Sequence, residues 1–232
     1  MTVTTLALCP VMLDPWVFIE TEIKKVNQRE EELLSFENIV PSKKGFFEDK
    51  KIGALTEKEK IDEILNWTTL NLYQMGLKSL PNAIRHLTNL KVLDLAGNHL
   101  NFIPQWINEL IHLKELNLGR NEIKNFPVEL TQIALEALNL YDNQLEDIPN
   151  EIYQMKKLKK LFLDDNKIKI ISCDIKNLKD LEILSMTSNQ LETIPLEIGE
   201  LPLLKDLCLY DNPLDEGSSE IIQQLPETIR IS

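Results

Sequence analysis

The stretch "LKKLFLDDNKI", residues 158–168, sets Leu158, Leu161, Leu163 and Ile168 around two acids and an asparagine. Taken alone, Asp164-Asp165-Asn166 has the look of a cation-binding loop. Five other segments superpose on it without a gap: "LKVLDLAGNHL" (90–100), "LKELNLGRNEI" (113–123), "LEALNLYDNQL" (135–145), "LEILSMTSNQL" (181–191) and "LKDLCLYDNPL" (204–214). Their asparagines, Asn98, Asn121, Asn143, Asn166, Asn189 and Asn212, are separated by 23, 22, 23, 23 and 23 residues. A weaker copy, "WTTLNLYQMGL" (67–77), stands 23 residues earlier with Met75 in the asparagine column. Self-similarity at a fixed period of this size marks a stacked-repeat architecture.

Within each unit the leucines alternate with polar residues, as Leu93 and Leu95 do around Asp94. That is the period of a short strand with leucines facing in and Asp94 facing out. One such strand cannot bury its apolar side alone, so seven stacked copies share a core and form a continuous parallel sheet. The chain must turn sharply at the asparagine, and buried turns need their backbone groups satisfied. A column of amides carrying both donors and an acceptor suits that task, so the six asparagines are expected to form a structural ladder.

Each unit continues with an apolar residue, usually a proline, and a second apolar stripe: "FIPQWINEL" (102–110), "NFPVELTQI" (125–133), "DIPNEIYQM" (147–155) and "TIPLEIGEL" (193–201). The proline predicts a short helical or 3₁₀ segment on the outer side. The combined pattern, LxxLxLxxNxL then xxIPxxIxxL, resembles the leucine-rich repeat family over residues 66–214. The resemblance implies an α/β solenoid with a curved parallel sheet on its concave face, short helical or 3₁₀ segments on its convex face, and protein binding through the sheet. The 23-residue form is similar to intracellular members: secreted effectors of intracellular bacteria and Ras-suppressor-type eukaryotic scaffolds. With only four arginines among 25 basic residues, the bacterial effector, delivered into the host cytoplasm, is the reading carried forward. A third possibility is the substrate-recognition part of a ubiquitin-ligase effector. The CxD motif of those ligases is not matched at Cys173-Asp174-Ile175, so no ligase activity is expected.

The ends are expected to be caps, since a solenoid exposes its core at both. Residues 1–65 predict a helical N-terminal region: Thr56 and Glu59 have capping-box spacing before an apolar face of Ile61, Ile64 and Leu65, and residues 1–55 carry one or two further helices. Residues 215–232 predict a C-terminal cap, with Ser218 or Ser219 starting a helix that bears Ile221, Ile222 and Leu225, and Ile229 and Ile231 in a final edge strand.

Composition narrows the function classes. The net charge is −12, and both parts are acidic: 13 acids and 9 bases through Leu65, then 24 and 16. Nucleic acid is therefore not expected, because phosphate binding needs a basic stripe. A protein partner with a basic surface is. Three widely spaced cysteines (Cys9, Cys173, Cys208) with no CxxC pair predict reduced thiols and a cytoplasmic setting. No apolar run approaches the ~20 residues of a membrane span. The opening "MTVTTLALCPVMLDPWVF" lacks a basic start and is broken by Pro10, Asp14 and Pro15, so a signal peptide is not expected.

For chemistry, His86, His99 and His112 are 13 residues apart, out of step with the repeat, and do not converge on a metal. No nucleophile elbow, zincin motif or phosphate-binding glycine loop is present. The order "DDNKIK" also lacks the D-x-D-x-D-G pattern of a calcium loop. Neither cofactor, metal nor catalytic residue is expected, and the chain is expected to be a monomer. The candidates are instead the outward columns of the sheet. These are Glu115 and Lys160 at the strand start, Asp94, Asn117, Asn139 and Phe162 at its centre, Tyr141, Asp164 and Tyr210 beyond it, and Arg120, Asp142, Asp165 and Asp211 just before the asparagines. With strands ~4.8 Å apart, Asp142, Asp164 and Asp165 should form an acidic rim, and Phe162 is expected to be an exposed contact residue.

Overall fold

The structure, a computed structural model, describes residues 65–232. Eight three-residue or shorter strands form one all-parallel sheet in chain order: β1 Thr69–Asn71, β2 Val92–Asp94, β3 Glu115–Asn117, β4 Ala137–Asn139, β5 Lys160–Phe162, β6 Ile183–Ser185, β7 Asp206–Cys208 and β8 Arg230–Ile231. The central leucines are in strict register, Leu70↔Leu93↔Leu116↔Leu138↔Leu161↔Leu184↔Leu207. Each lies at 0–2% exposure, so the sheet buries a complete leucine row on one face and leaves the other open.

Across the core from the sheet run the outer segments, 3₁₀ turns at Asn82–His86, Gln105–Glu109, Val128–Gln132, Ile152–Gln154, Cys173–Asn177 and Leu196–Glu200. Pro81, Pro104, Pro127 and Pro195 stand at the N-cap in extended conformation. Proline fixes φ there and surrenders an N–H that a helix start cannot use. The unit containing Ser172 differs: its Oγ accepts the N–H of Asp174 at 3.1 Å, and its own N–H donates to the Tyr153 hydroxyl at 3.1 Å.

The short repeat between Asn121 and Asn143 loses its residue at the return to the sheet, where Ala134 alone separates Ile133 from Leu135. Four of the other units turn back through φ near −80° and ψ of 56–69° at Leu87, Leu110, Met155 and Leu178. Ile133 is extended instead, at φ −101° and ψ 140°. Straightening one residue spans the gap left by the missing one, and register is kept on both sides.

At the C-terminus, helix α1 spans Glu216–Gln224. Its N-cap is Asp215, not Ser218 or Ser219. The Asp215 carboxylate accepts both the N–H and the Oγ–H of Ser218 at 2.7 Å, which also holds its pKa below the ordinary carboxylate value. A carboxylate is the better anion for the positive end of a helix. Ser218, 1% exposed, faces inward, where its Oγ accepts the N–H of Ile194 at 3.2 Å. Ile221, Ile222 and Leu225 pack on the core as expected, and β8 continues the sheet beyond β7, with Ile229 buried. At the other end Leu65 and Trp67 pack against the core. The predicted helices of residues 1–64, the Thr56/Glu59 capping box and Cys9 lie outside the described residues.

Candidate functional site: the open face of the sheet

The asparagine column is wholly structural. In each of six units the amide oxygen accepts an N–H from the preceding repeat: Leu77, Leu100, Ile123, Leu145, Ile168 and Leu191 donate to Asn98, Asn121, Asn143, Asn166, Asn189 and Asn212 at 2.9–3.1 Å. The Nδ2 group donates back to carbonyls of two successive repeats; that of Asn143 reaches Leu118 at 3.0 Å and Leu140 at 3.1 Å.

Directly before each asparagine, and before Met75 in the first copy, the chain is left-handed. Gln74, Arg120, Asp142, Asp165, Ser188 and Asp211 have φ of 51–58°, and Gly97 has 71°. Only glycine takes this conformation without cost, with aspartate and asparagine next. The column therefore projects Arg120, Asp142, Asp165 and Asp211 outward for a backbone reason as well as a surface one. Gly97 and three aspartates in one column were the legible sign of it.

The central outward column also has a backbone duty. Asn71, Asp94, Asn117 and Asn139 each accept, through a side-chain oxygen, the N–H two residues ahead, at Tyr73, Ala96, Gly119 and Tyr141 (2.8–3.1 Å). Phe162, Ser185 and Cys208 break that series. The loss at Ser185 is repaired from the previous repeat: Asp164 Oδ1 accepts the Ser185 hydroxyl at 2.5 Å and the Thr187 N–H at 2.9 Å.

These bonds correct the expected acidic rim. Asp164 is turned into the sheet, Asp142 faces Arg120 (Nε–Oδ2 3.7 Å), and Asp211 accepts the Ser188 hydroxyl at 3.1 Å. Among the described residues Asp165 is the member of that rim left exposed with no ion pair or hydrogen bond to its carboxylate. Phe162 is half-buried rather than exposed. Tyr210 is 74% exposed. The Tyr141 ring lies flat over Gly119, whose place a Cβ would contest, and the Arg120 guanidinium stands 5.5 Å from that ring. Burial pushes the Tyr141 hydroxyl pKa up, opposed by Arg120.

Along the near edge of the sheet runs a ladder of alternating charge. Glu136 is bracketed by Lys159 at 2.7 Å and Lys114 at 3.3 Å, and Lys205 meets Glu182 at 2.5 Å. Hydrogen bonding to Lys159 first, then to Lys114, holds Glu136 below its ordinary pKa, and Glu136 in turn raises Lys159. Sequence reading missed this ladder, although Lys91, Lys114, Glu136, Lys159, Glu182 and Lys205 recur at the repeat period.

Between ladder and rim the open face dips into a groove of about 560 Å³ over β2–β5. Ala137 and Asn139 line its middle, between Lys160 and Phe162 on one side and Val92, Asp94, Glu115 and Asn117 on the other. Cys208 is half-buried further along the face, and Cys173 is exposed on the outer segments. Among the described residues no group of three or more His, Cys, Asp or Glu side chains is placed to hold a metal ion.

The repeat is matched independently by two family models: residues 111–168 fit one described as leucine rich repeat, and residues 88–131 fit one described as leucine rich repeats in two copies. The chain is a leucine-rich-repeat protein. Its solenoid superposes on a leucine-rich-repeat protein of Leptospira interrogans at 34% identity and TM-score 0.61, covering 76% of this chain and 50% of that one. An internalin, InlF, of Listeria monocytogenes shares the fold at 24% identity and TM-score 0.61, over 75% of this chain and 49% of that one. PEPR1, in its structure with AtPEP1, matches at 30% identity and TM-score 0.59, over 72% of this chain and 24% of its own. This leucine-rich-repeat chain thus spans about half the length of the two bacterial proteins. No curated protein matches it. Leucine-rich-repeat domains are in general protein-interaction modules, and in this one no helix among the described residues is long and apolar enough to cross a membrane.

Proposed function

We propose that the chain is a non-enzymatic recognition module whose concave sheet face receives a partner protein, and that it acts as an effector delivered to the cytoplasm of a host cell. The observation that carries the binding reading is the division of labour on the open face. Most of the asparagines, aspartates and lysines there bond to the backbone or to one another, while the side chains of Glu115, Lys160, Phe162, Asp165 and Tyr210 make no ion pair or hydrogen bond within the described residues. The surplus of 24 acids over 16 bases in residues 66–232 favours a partner that is basic overall. The 34% identity to the Leptospira interrogans protein and the scarcity of arginine favour a bacterial source and, with it, the effector reading over the eukaryotic scaffold.

Capture of partners from host cytosol by the wild-type chain and by Phe162→Ala/Asp165→Asn tests the face. Asn keeps the left-handed turn, so loss of the partner with unchanged folding supports binding there. Retention by this variant together with loss on Val128→Asp, on the opposite surface, would move the site to the convex side. A covalent ubiquitin adduct abolished by Cys173→Ser or Cys208→Ser would restore the ligase alternative.

A further inference from the structure

The groove over β2–β5 has a polarity that the net charge of the chain conceals. Its residues at the strand starts run Val92, Glu115, Ala137, Lys160 in register across four adjacent strands. Glu115 and Lys160 are both exposed, and neither has an ion-pair partner within 4.0 Å among the described residues, whereas the ladder beside them is paired. Asp94 adds negative charge on the Glu115 side, while on the Lys160 side Lys159 is neutralised by Glu136, also in the lining, at 2.7 Å, so Lys160 is the positive charge there. Between these two charges lies Ala137, the smallest side chain of its column, with Asn139 beside it and Phe162 forming the apolar wall.

Two strand spacings separate Glu115 from Lys160, about 9.6 Å. Two turns of α-helix, i to i+7, advance ~10.5 Å along one face. An extended strand offers ~6.6 Å at i+2 or ~13 Å at i+4 on one face, and neither matches. We infer that the groove receives an amphipathic helix of the partner lying across the strands, with a basic residue against Glu115, an acidic residue seven positions away against Lys160, and apolar residues at the intervening i+3 and i+4 positions over Ala137 and against Phe162. Opposite charges at this spacing fix where the helix sits, and misplaced like charges exclude other helices. This inference rests on the concave face being the binding face, and it assigns the partner's element and charge spacing there.

The probe is a set of alanine-based helical peptides that share Leu at i+3 and i+4 and differ at i and i+7: Arg/Glu, Arg/Arg and Glu/Glu, with one further peptide carrying Arg and Glu at i and i+5. Affinities are read by fluorescence anisotropy. Wild type should prefer Arg/Glu at i,i+7 over the other three by about tenfold or more. Glu115→Lys should move the preference to Glu/Glu, and Lys160→Glu should move it to Arg/Arg. The double variant Glu115→Lys/Lys160→Glu should recover Arg/Glu binding, because the helix can dock in the opposite direction. Circular dichroism and thermal melting confirm that each variant folds. Binding that simply rises with peptide positive charge in every variant would overturn the inference, as would no detectable binding or no recovery in the double variant. If that occurs while Phe162→Ala/Asp165→Asn still loses the captured partner, the concave-face reading stands and this helix assignment alone falls.

Discussion

At the scale of the residue, the asparagines show how much of the structure is held by one side chain type. Asn143 is 6% exposed and joins two successive repeats: it accepts from Ile123 and donates to Leu118 of the one before and to Leu140 of its own. Asn143→Ala strands those backbone groups and should cost about 2 kcal/mol, while Asn143→Asp, which has acceptors facing carbonyl oxygens, should cost about 3 kcal/mol or more. Urea unfolding of the two variants against wild type measures both, and an Asp variant as stable as Ala would contradict the donor role. The ladder was legible because its chemistry repeats at a fixed period. The roles of Asp164 and Phe162 were not. Whether a carboxylate projects to solvent or reaches back to a neighbour depends on what stands one repeat away, here a serine where other units carry asparagine. The expected acidic rim failed for the same reason: Asp142 and Asp164 each found a different partner, leaving the Asp165 carboxylate exposed beside them.

At the scale of the element, the outer segment at Cys173–Asn177 starts on Ser172 rather than proline, a departure visible in the sequence. Its consequence was not visible. Keeping an N–H at that position creates a donor, which the buried Tyr153 hydroxyl satisfies from 19 residues earlier. Burial pushes the Tyr153 pKa up to about 12, against the hydrogen bond from Ser172 that lowers it. The folded state therefore favours the neutral phenol. This contribution is fully present below the unfolded value near pH 10 and is lost as pH rises towards 12, because the unfolded chain ionises first. The loss across that window is about 3 kcal/mol at most. Denaturation at pH 8 and pH 11.5 should show a smaller alkaline loss in Tyr153→Phe than in wild type, even though the variant starts less stable for want of an acceptor. Equal alkaline losses would show that Tyr153 is not the group responsible. The strands and 3₁₀ turns themselves followed from alternation and proline. The cap helix α1 was placed by its apolar residues but started on Asp215, because the choice among Asp215, Ser218 and Ser219 is settled by which side chain faces the core.

At the scale of the whole molecule, every strand pairs only with its sequence neighbours, and the asparagine amides reach only adjacent repeats. Stability is then close to a sum of nearest-neighbour terms. Leu207→Ala, near the C-terminal end, should raise the amide hydrogen exchange of β7, β8 and α1 while β3 and β4 keep their protection. A uniform rise across the sheet would show a single cooperative unit instead. Bonds peculiar to one pair of neighbouring units have a bearing on descent. Asp164 belongs to one repeat but supplies the acceptor for Ser185 and Thr187 of the next. Recombination that copied the Ser185 unit behind any other repeat would leave the Thr187 amide without its acceptor. Those two units form an indivisible heritable pair, so the array can lengthen or shorten by copying the two together more readily than by copying the second alone.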